Sequence, residues 1–251
     1  MELFTDKRKL DIAVVGRNLD DLLPLLQEFP CRIVTERPDL VISHGGDGFL
    51  LGAELQYPGV PKCAIRDKKN NPKCPRHSEH DTLTALFAGK LRKTELQILR
   101  VTNAKGKSLD AINDITIERS QITSAIRYRI FLNGECLRDQ VVADALLIST
   151  IFGSTGYFQS ITHGTFLSGI GLAYSNATDL RSFQLIPENS RLTVQLLRGP
   201  ARIIADNNPE ILDAETGEEF QIQVLPRKTT LYGLDIFRCP DCYDLRKHGI
   251  P

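Results

Sequence analysis

Three glycines and an aspartate, His44-Gly45-Gly46-Asp47-Gly48, follow the apolar run Asp39-Leu-Val-Ile-Ser43. Glycines in such a turn let backbone amides approach a phosphate closely. Asp47 would repel a phosphate, so its chemistry is of another kind: it can accept a proton from an attacking hydroxyl or hold Mg2+. The alternative is a tight turn with a solvated Asp47. A second constellation lies in the cysteines, where Lys73-Cys74-Pro75-Arg76-His77 and Arg238-Cys239-Pro240-Asp241-Cys242 repeat the pattern basic-Cys-Pro-x-(His or Cys). A two-residue gap lets both side chains of each knuckle point at one ion. Cys74, His77, Cys239 and Cys242 would together give a closed structural Zn2+ set, with Cys63 or His80 as replacements for the fourth ligand. Four unligated side chains are the alternative.

The elements that must position these residues change character along the chain. Residues 10–16 read as a short buried strand closed by glycine, and Asp20 to Phe29 carries leucines at helical spacing. Cys31 to Thr35 and Asp39 to Ser43 read as further strands, Phe49 to Leu55 as a helix, and Ser78 to Ala88 as a helix capped by Ser78 or Asp81 and ended by Gly89. Strands alternating with helices predict a parallel α/β sheet, which gathers ligands at the carboxyl ends of its strands, where the Gly-Gly-Asp-Gly turn falls. From about residue 94 the runs have period two: Glu95 to Val101, Asp114 to Arg119, Ala125 to Leu132 and Leu192 to Leu197. Asn133-Gly134 is the strongest hairpin signal, since both positions of a type I′ turn tolerate positive φ.

With 251 residues the chain is long enough for a large core or for two domains. Its 31 basic and 31 acidic residues cancel, so no global field draws a nucleic acid or an acidic membrane. The longest apolar stretches, such as Ala145-Leu-Leu-Ile148, fall far short of a membrane span, and Met1 to Asp6 lacks a signal-peptide pattern. Cytoplasm is the expected location, and six cysteines there are thiols or ligands rather than disulfides.

The Gly-Gly-Asp-Gly turn resembles that of the NAD kinase family, within a larger kinase group that also includes diacylglycerol, sphingosine and 6-phosphofructo-kinases. Two later segments select the NAD kinase branch. Asn113-Asp114-Ile-Thr-Ile-Glu118-Arg119 is similar to its Asn-Glu or Asn-Asp motif, and Asp144…Ser149-Thr150-Ile-Phe-Gly153-Ser154-Thr155-Gly156-Tyr157 is similar to Asp-Gly…Thr-Pro-Thr-Gly-Ser-Thr-Ala-Tyr. Order and spacing match over roughly residues 10–205.

The resemblance implies an α/β domain over 1–93, rejoined by the returning segment 236–251, and a β-rich, β-sandwich-type domain over 94–235. It implies transfer of the γ-phosphoryl of ATP, or of polyphosphate, to the 2′-hydroxyl of the adenosine ribose of NAD, with Mg2+ or Mn2+. Asp47 becomes the hydroxyl-orienting base, and the amides of Gly45, Gly46 and Gly48, beside Phe49, the phosphate cradle. Asn113 and Asp114 read an adenine edge or ribose diol, and Asp144 lies near the nicotinamide half. Ser154, Thr155, Gly156, Tyr157 and Ser160 form a positive helix start with a ring for base stacking. A homodimer or homotetramer, without nucleic-acid or membrane partners, is implied too. A non-catalytic nucleotide-binding protein and a related kinase with another hydroxyl acceptor are the alternatives.

The chain departs from the family where nucleotide meets protein. Phe49 replaces a threonine, and Ile151-Phe152 replaces Pro-Thr. The trailing Gly-Gly is Thr162-His163, and the late Asp-Gly is Asp206-Asn207-Asn208. Residues 61–74 stand in place of a second glycine loop, with Arg66, Lys68 and Lys69 as charge substitutes.

Overall fold

The computed structural model describes residues 9–67, 78–178 and 182–241. The chain divides into two compact units: one carries it up to Leu96 and again from Thr229, and the other runs Gln97–Lys228.

In the first unit the apolar runs become β1 (Leu10–Gly16), β2 (Cys31–Ile33), β3 (Leu40–His44) and β4 (Lys62–Ile65). Between and after them come α1 (Leu19–Leu26), α2 (Asp47–Gln56) and α3 (Glu79–Phe87), then β5 (Lys93–Leu96). Ser78 caps α3 by accepting the Asp81 amide at 3.2 Å. Strand alternation decides which helix covers which face. Leu10, Ile12, Leu40 and Ile42 pack with Leu22 and Leu26 of α1 and Leu83 and Leu86 of α3, whereas Ala13 and Val41 meet Ala53 of α2. The pairing register sets Gly16 beside His44 and His44 beside Ile65, so β1, β3 and β4 end on one line.

The second unit holds β6 (Leu99–Asn103), β7 (Ser108–Ala111), β8 (Asp114–Arg119), β9 (Ile126–Leu132), β10 (Glu135–Ala143) and β11 (Ala145–Ser149). A 3-10 turn (Phe152–Thr155) and α4 (Tyr157–Thr162) follow. Then come β12 (Ile170–Ser175), β13 (Phe183–Ile186), β14 (Arg191–Arg198), β15 (Ala201–Ala205), β16 (Leu212–Ala214) and β17 (Glu219–Val224). They form two antiparallel sheets, β10-β9-β14-β17-β6-β7 and β13-β12-β11-β8-β15-β16. One apolar core joins their inner faces: Val101, Tyr128, Ile130, Val194 and Ile222 from the first, Ile115, Ile117, Leu146, Ile148, Leu172 and Ile203 from the second. The Asn133-Gly134 hairpin forms as the sequence predicts, with φ of 53° and 90°.

The chain then returns to the first unit as β18 (Thr229–Tyr232), parallel to β4 and antiparallel to β5, followed by α5 (Leu234–Phe237). The run Glu95 to Val101, read as one strand, is split into β5 and β6 because its halves pair with different sheets, β18 and β17 respectively. The helix expected from Phe49 starts two residues earlier, at Asp47, with Gly46 as its N-cap. Among the described residues no helix is long and apolar enough to cross a membrane.

Candidate active-site residues

In the first unit the turn His44–Phe49 leaves the line where β1, β3 and β4 end. Gly45 is held at φ 143°, and a Cβ there would lie 2.4 Å from the Phe49 ring, so Phe49 packs directly on the glycine backbone. Phe49 stands at the position where the family pattern has a threonine. The Gly45 amide donates to the Ile65 carbonyl at 2.9 Å, extending the sheet by one bond. The expected three-amide cradle is corrected at that atom: Gly45 contributes shape, not a donor.

Asp47 opens α2, where a carboxylate is favoured by the exposed amides of the first turn. Its Oδ1 accepts from Arg238 Nε at 3.1 Å and Nη2 at 2.9 Å, and its Oδ2 from Arg66 Nη2 at 3.4 Å. Arg66, buried, donates from Nε to the Phe237 carbonyl at 2.9 Å and stacks 3.9 Å from the centre of the Phe237 ring. Arg17 and Asn18 both donate to Asp67 Oδ2, at 2.9 and 2.8 Å. His44, fully buried, sets Nδ1 against the Arg17 carbonyl at 2.7 Å, so that nitrogen carries the proton.

The second unit builds its bend from backbone. Asp206 accepts three successive amides, Ile112 at 2.8 Å on Oδ2 and Asn113 and Asp114 at 2.9 and 3.0 Å on Oδ1. Thr150 donates from Oγ1 to the Ile112 carbonyl at 2.6 Å and accepts from the Gly153 amide at 3.1 Å. A Cβ on Gly153 would lie 2.2 Å from the Asn113 carbonyl, so the two segments meet only because this residue is glycine. Asn113 Oδ1 is buried and finds no partner among the described residues. The Asp114 carboxyl is pushed up to about 7, first by burial and then by the facing Asp206 carboxylate.

The expected helix start is a 3-10 turn followed by a short helix. Ser154 is buried, and Ser160 Oγ donates back to the Tyr157 carbonyl at 2.8 Å. Gly156 and Tyr157 are exposed, and Gly156 lies beside the Asn113 amide nitrogen. Asp144 is not brought to this group. It precedes β11 while Thr150 follows it, and Ser149, not Ala145, pairs with Asp114. A five-residue strand separates its two ends by roughly 15–20 Å. There Asp144 binds Arg119 at 2.8 Å and Asn176 at 2.8 Å.

Of the proposed zinc ligands, Cys74, His77 and Cys242 lie outside the described residues, and Cys239 is buried. Burial pushes the Cys63 thiol up to about 12. Among the described residues no group of three or more His, Cys, Asp or Glu is placed to hold a metal.

Sequence reasoning passed over Arg238 as a partner of Asp47 and Asp206 as the organiser of Asn113-Asp114. Arg238 stands 191 residues from Asp47, with no local signal to link them. The late Asp-Gly position did flag Asp206, but not what it binds.

No family model matches the chain. It is 33% identical over 139 residues to an NAD kinase of Nitratidesulfovibrio vulgaris, covering 52% of this chain and 46% of the relative. It is 34% identical over 131 residues to an NAD kinase of Flavobacterium psychrophilum, covering 49% and 44%. The match spans about half the length of these curated relatives. A solved yeast NADH kinase complexed with NADH superposes with a TM-score of 0.80 at 15% identity, covering 98% of this chain and 90% of that one. An NAD kinase from Archaeoglobus fulgidus in complex with ATP gives 0.73 at 18% identity, covering 92% and 97%. The chain is thus similar in sequence to NAD kinases over about half its length and shares its fold with these two solved kinases over nearly all of it.

Proposed function

We propose that the protein phosphorylates NAD, moving the γ-phosphoryl of ATP to the 2′-hydroxyl of the adenosine ribose and yielding NADP and ADP. The observation that carries this reading is Asp47: a carboxylate on the first residue of α2, behind a glycine turn at the carboxyl ends of parallel strands, with two guanidinium groups on it. A base beside anion-binding groups suits a hydroxyl attacking a polyphosphate. The 2′-oxygen forms its bond to Pγ while the bond from Pγ to the bridging oxygen breaks. The hydroxyl proton passes to the Asp47 carboxylate and ADP leaves.

Asn113 and Asp114 read the adenosine moiety in this account. The orphaned Asn113 Oδ1 supports it, since a buried acceptor gains most from a donor such as an exocyclic amine. Tyr157, half exposed, offers its ring to a base. Gly46 and Gly48 keep the phosphate role, and the relatives' names agree with both nucleotides. Mg2+ or Mn2+ would accompany ATP and neutralise charge developing on the transferred phosphoryl group. Polyphosphate as donor, a dimeric or tetrameric assembly, a cytoplasmic location and a zinc at the cysteine knuckles are supported by the resemblance and the motifs alone.

The test is a coupled assay with NAD, ATP and Mg2+, reading NADP through an NADP-specific dehydrogenase. NADP should form, and the Asp47→Asn variant should lose about a thousandfold in rate, within the range of a general base. Binding of NAD without turnover at any donor would favour the non-catalytic reading.

A further inference from the structure

Resting on the reading of the glycine turn as the donor's phosphate site, we propose that Arg17, carried on the Phe49 ring, binds the donor's polyphosphate in front of that turn, with Phe49 as a positioning residue for the guanidinium. The ring at the family's threonine position takes a hydroxyl away from the turn and supplies a platform for a cation in its place.

Arg17 is the first residue after β1, and its backbone is fixed to the strand that leads into the turn. A Cβ on Gly16 would lie 2.1 Å from the His44 carbonyl oxygen, so β1 and β3 meet closely at their ends. The Arg17 amide donates to that carbonyl at 3.2 Å, and the Arg17 carbonyl accepts from His44 Nδ1 at 2.7 Å. The side chain is held along one edge. Its Nε donates at 2.9 Å to Asp67 Oδ2, and the Asp67 side chain is 1% exposed while that of Arg17 is 43% exposed. The guanidinium carbon lies 5.9 Å from the centre of the Phe49 ring, and this ring packs on Gly45. Among the described residues Arg17 Nη1 and Nη2 have no hydrogen-bond partner, and neither has the Gly46 amide.

A buried carboxylate on the inner edge thus turns the outer edge of the guanidinium to solvent beside the glycine turn. Asp67 offsets the charge but leaves the terminal nitrogens with their N–H donors in the planar fork that suits phosphate oxygens. With the Nε edge and the ring fixing its plane, the side chain has little rotamer freedom left to lose when an anion binds.

Tripolyphosphate is titrated calorimetrically into the full chain as wild type, Arg17→Gln, Phe49→Leu and the double variant, with a melting curve for each. Arg17→Gln should weaken binding about tenfold, the size expected of a charge-assisted hydrogen bond. Phe49→Leu keeps an apolar group on Gly45 but removes the platform, and should weaken binding about threefold, as a partly exposed cation–π contact would. In the double variant the loss should equal that of Arg17→Gln alone, because the ring acts through the guanidinium. Arg17→Lys, which keeps the charge without the fork, should fall between wild type and Arg17→Gln.

Binding undiminished by Arg17→Gln, or absent from the wild type, overturns the proposal. The same loss from Phe49→Leu with and without Arg17 means that the ring shapes the turn directly, and overturns its positioning role. Should Arg17→Gln show no melting transition, Arg17→Lys decides: weaker binding supports the fork and unchanged binding overturns it. The titration needs neither NAD nor turnover. A chain that binds tripolyphosphate through Arg17 but makes no NADP keeps this site and loses the NAD reading, whereas NADP formation with an unchanged KM for ATP in Arg17→Gln keeps the reading and loses the site.

Discussion

Two glycine-bearing bends carry the candidate residues, and they are held in opposite ways. The bend after β3 is fixed by charged side chains, with Asp47 between Arg238 and Arg66 and with Asp67 holding Arg17. The bend between β7 and β8 is fixed by backbone, with three amides on Asp206 and the Gly153 backbone pressed against the Asn113 carbonyl. Ion pairs at a partly exposed site exchange partners at small cost, whereas amides capped by a carboxylate do not. The first arrangement suits groups that change partner during a reaction; the second suits a rigid template.

If that contrast is right, the template should be the part that breaks. Asp206→Ala uncaps three amides at once and should cost about 3 kcal/mol of stability in urea unfolding, with NAD affinity falling alongside. Gly153→Ala forces a Cβ against the Asn113 carbonyl and should cost about 2 kcal/mol. Either substitution behaving as a neutral surface change would dissolve the distinction between the two bends.

The template also carries a pH signature. With Asp114 raised from 3.8 to about 7 in the folded protein, the native state binds a proton that the unfolded chain has already released across that interval. Its contribution to stability is therefore full below about pH 4 and is lost as pH rises to about 7. Melting temperatures of Asp114→Asn should decline less over this interval than those of the wild type, and parallel curves would contradict the upward shift of the Asp114 carboxyl. The smallest effect is expected in the charged bend: Phe49→Thr strips a half-buried ring from Gly45 and should cost about 1 kcal/mol, leaving Asp47 and its arginines in place.

The parts of this arrangement that were legible in the sequence are the local ones. Strand, glycine turn and helix around Asp47 lie within a short stretch, and Asn133-Gly134 dictates its own hairpin because its φ requirement is intrinsic to the two residues. The expected glycine cradle failed at Gly45 because strand ends share amides: whether a loop N–H faces a ligand or the next carbonyl depends on β4, which local pattern does not contain. Asp144 and Gly153 to Tyr157 share one sequence motif with a strand between them, and a motif does not record which end of the strand a residue stands at. The partners that define both bends, Arg238 and Asp206, come from far along the chain and are visible only once β18 and β15 are placed.

The most direct measurement is the product formed from NAD, ATP and Mg2+ by the intact chain, identified by mass spectrometry with an NAD analogue lacking the adenosine 2′-hydroxyl as control. The account predicts NADP and ADP in equal amounts from NAD, no product from the analogue, and about a thousandfold less from Asp47→Asn. Phosphorylation of the analogue, or undiminished NADP formation by Asp47→Asn, would contradict it.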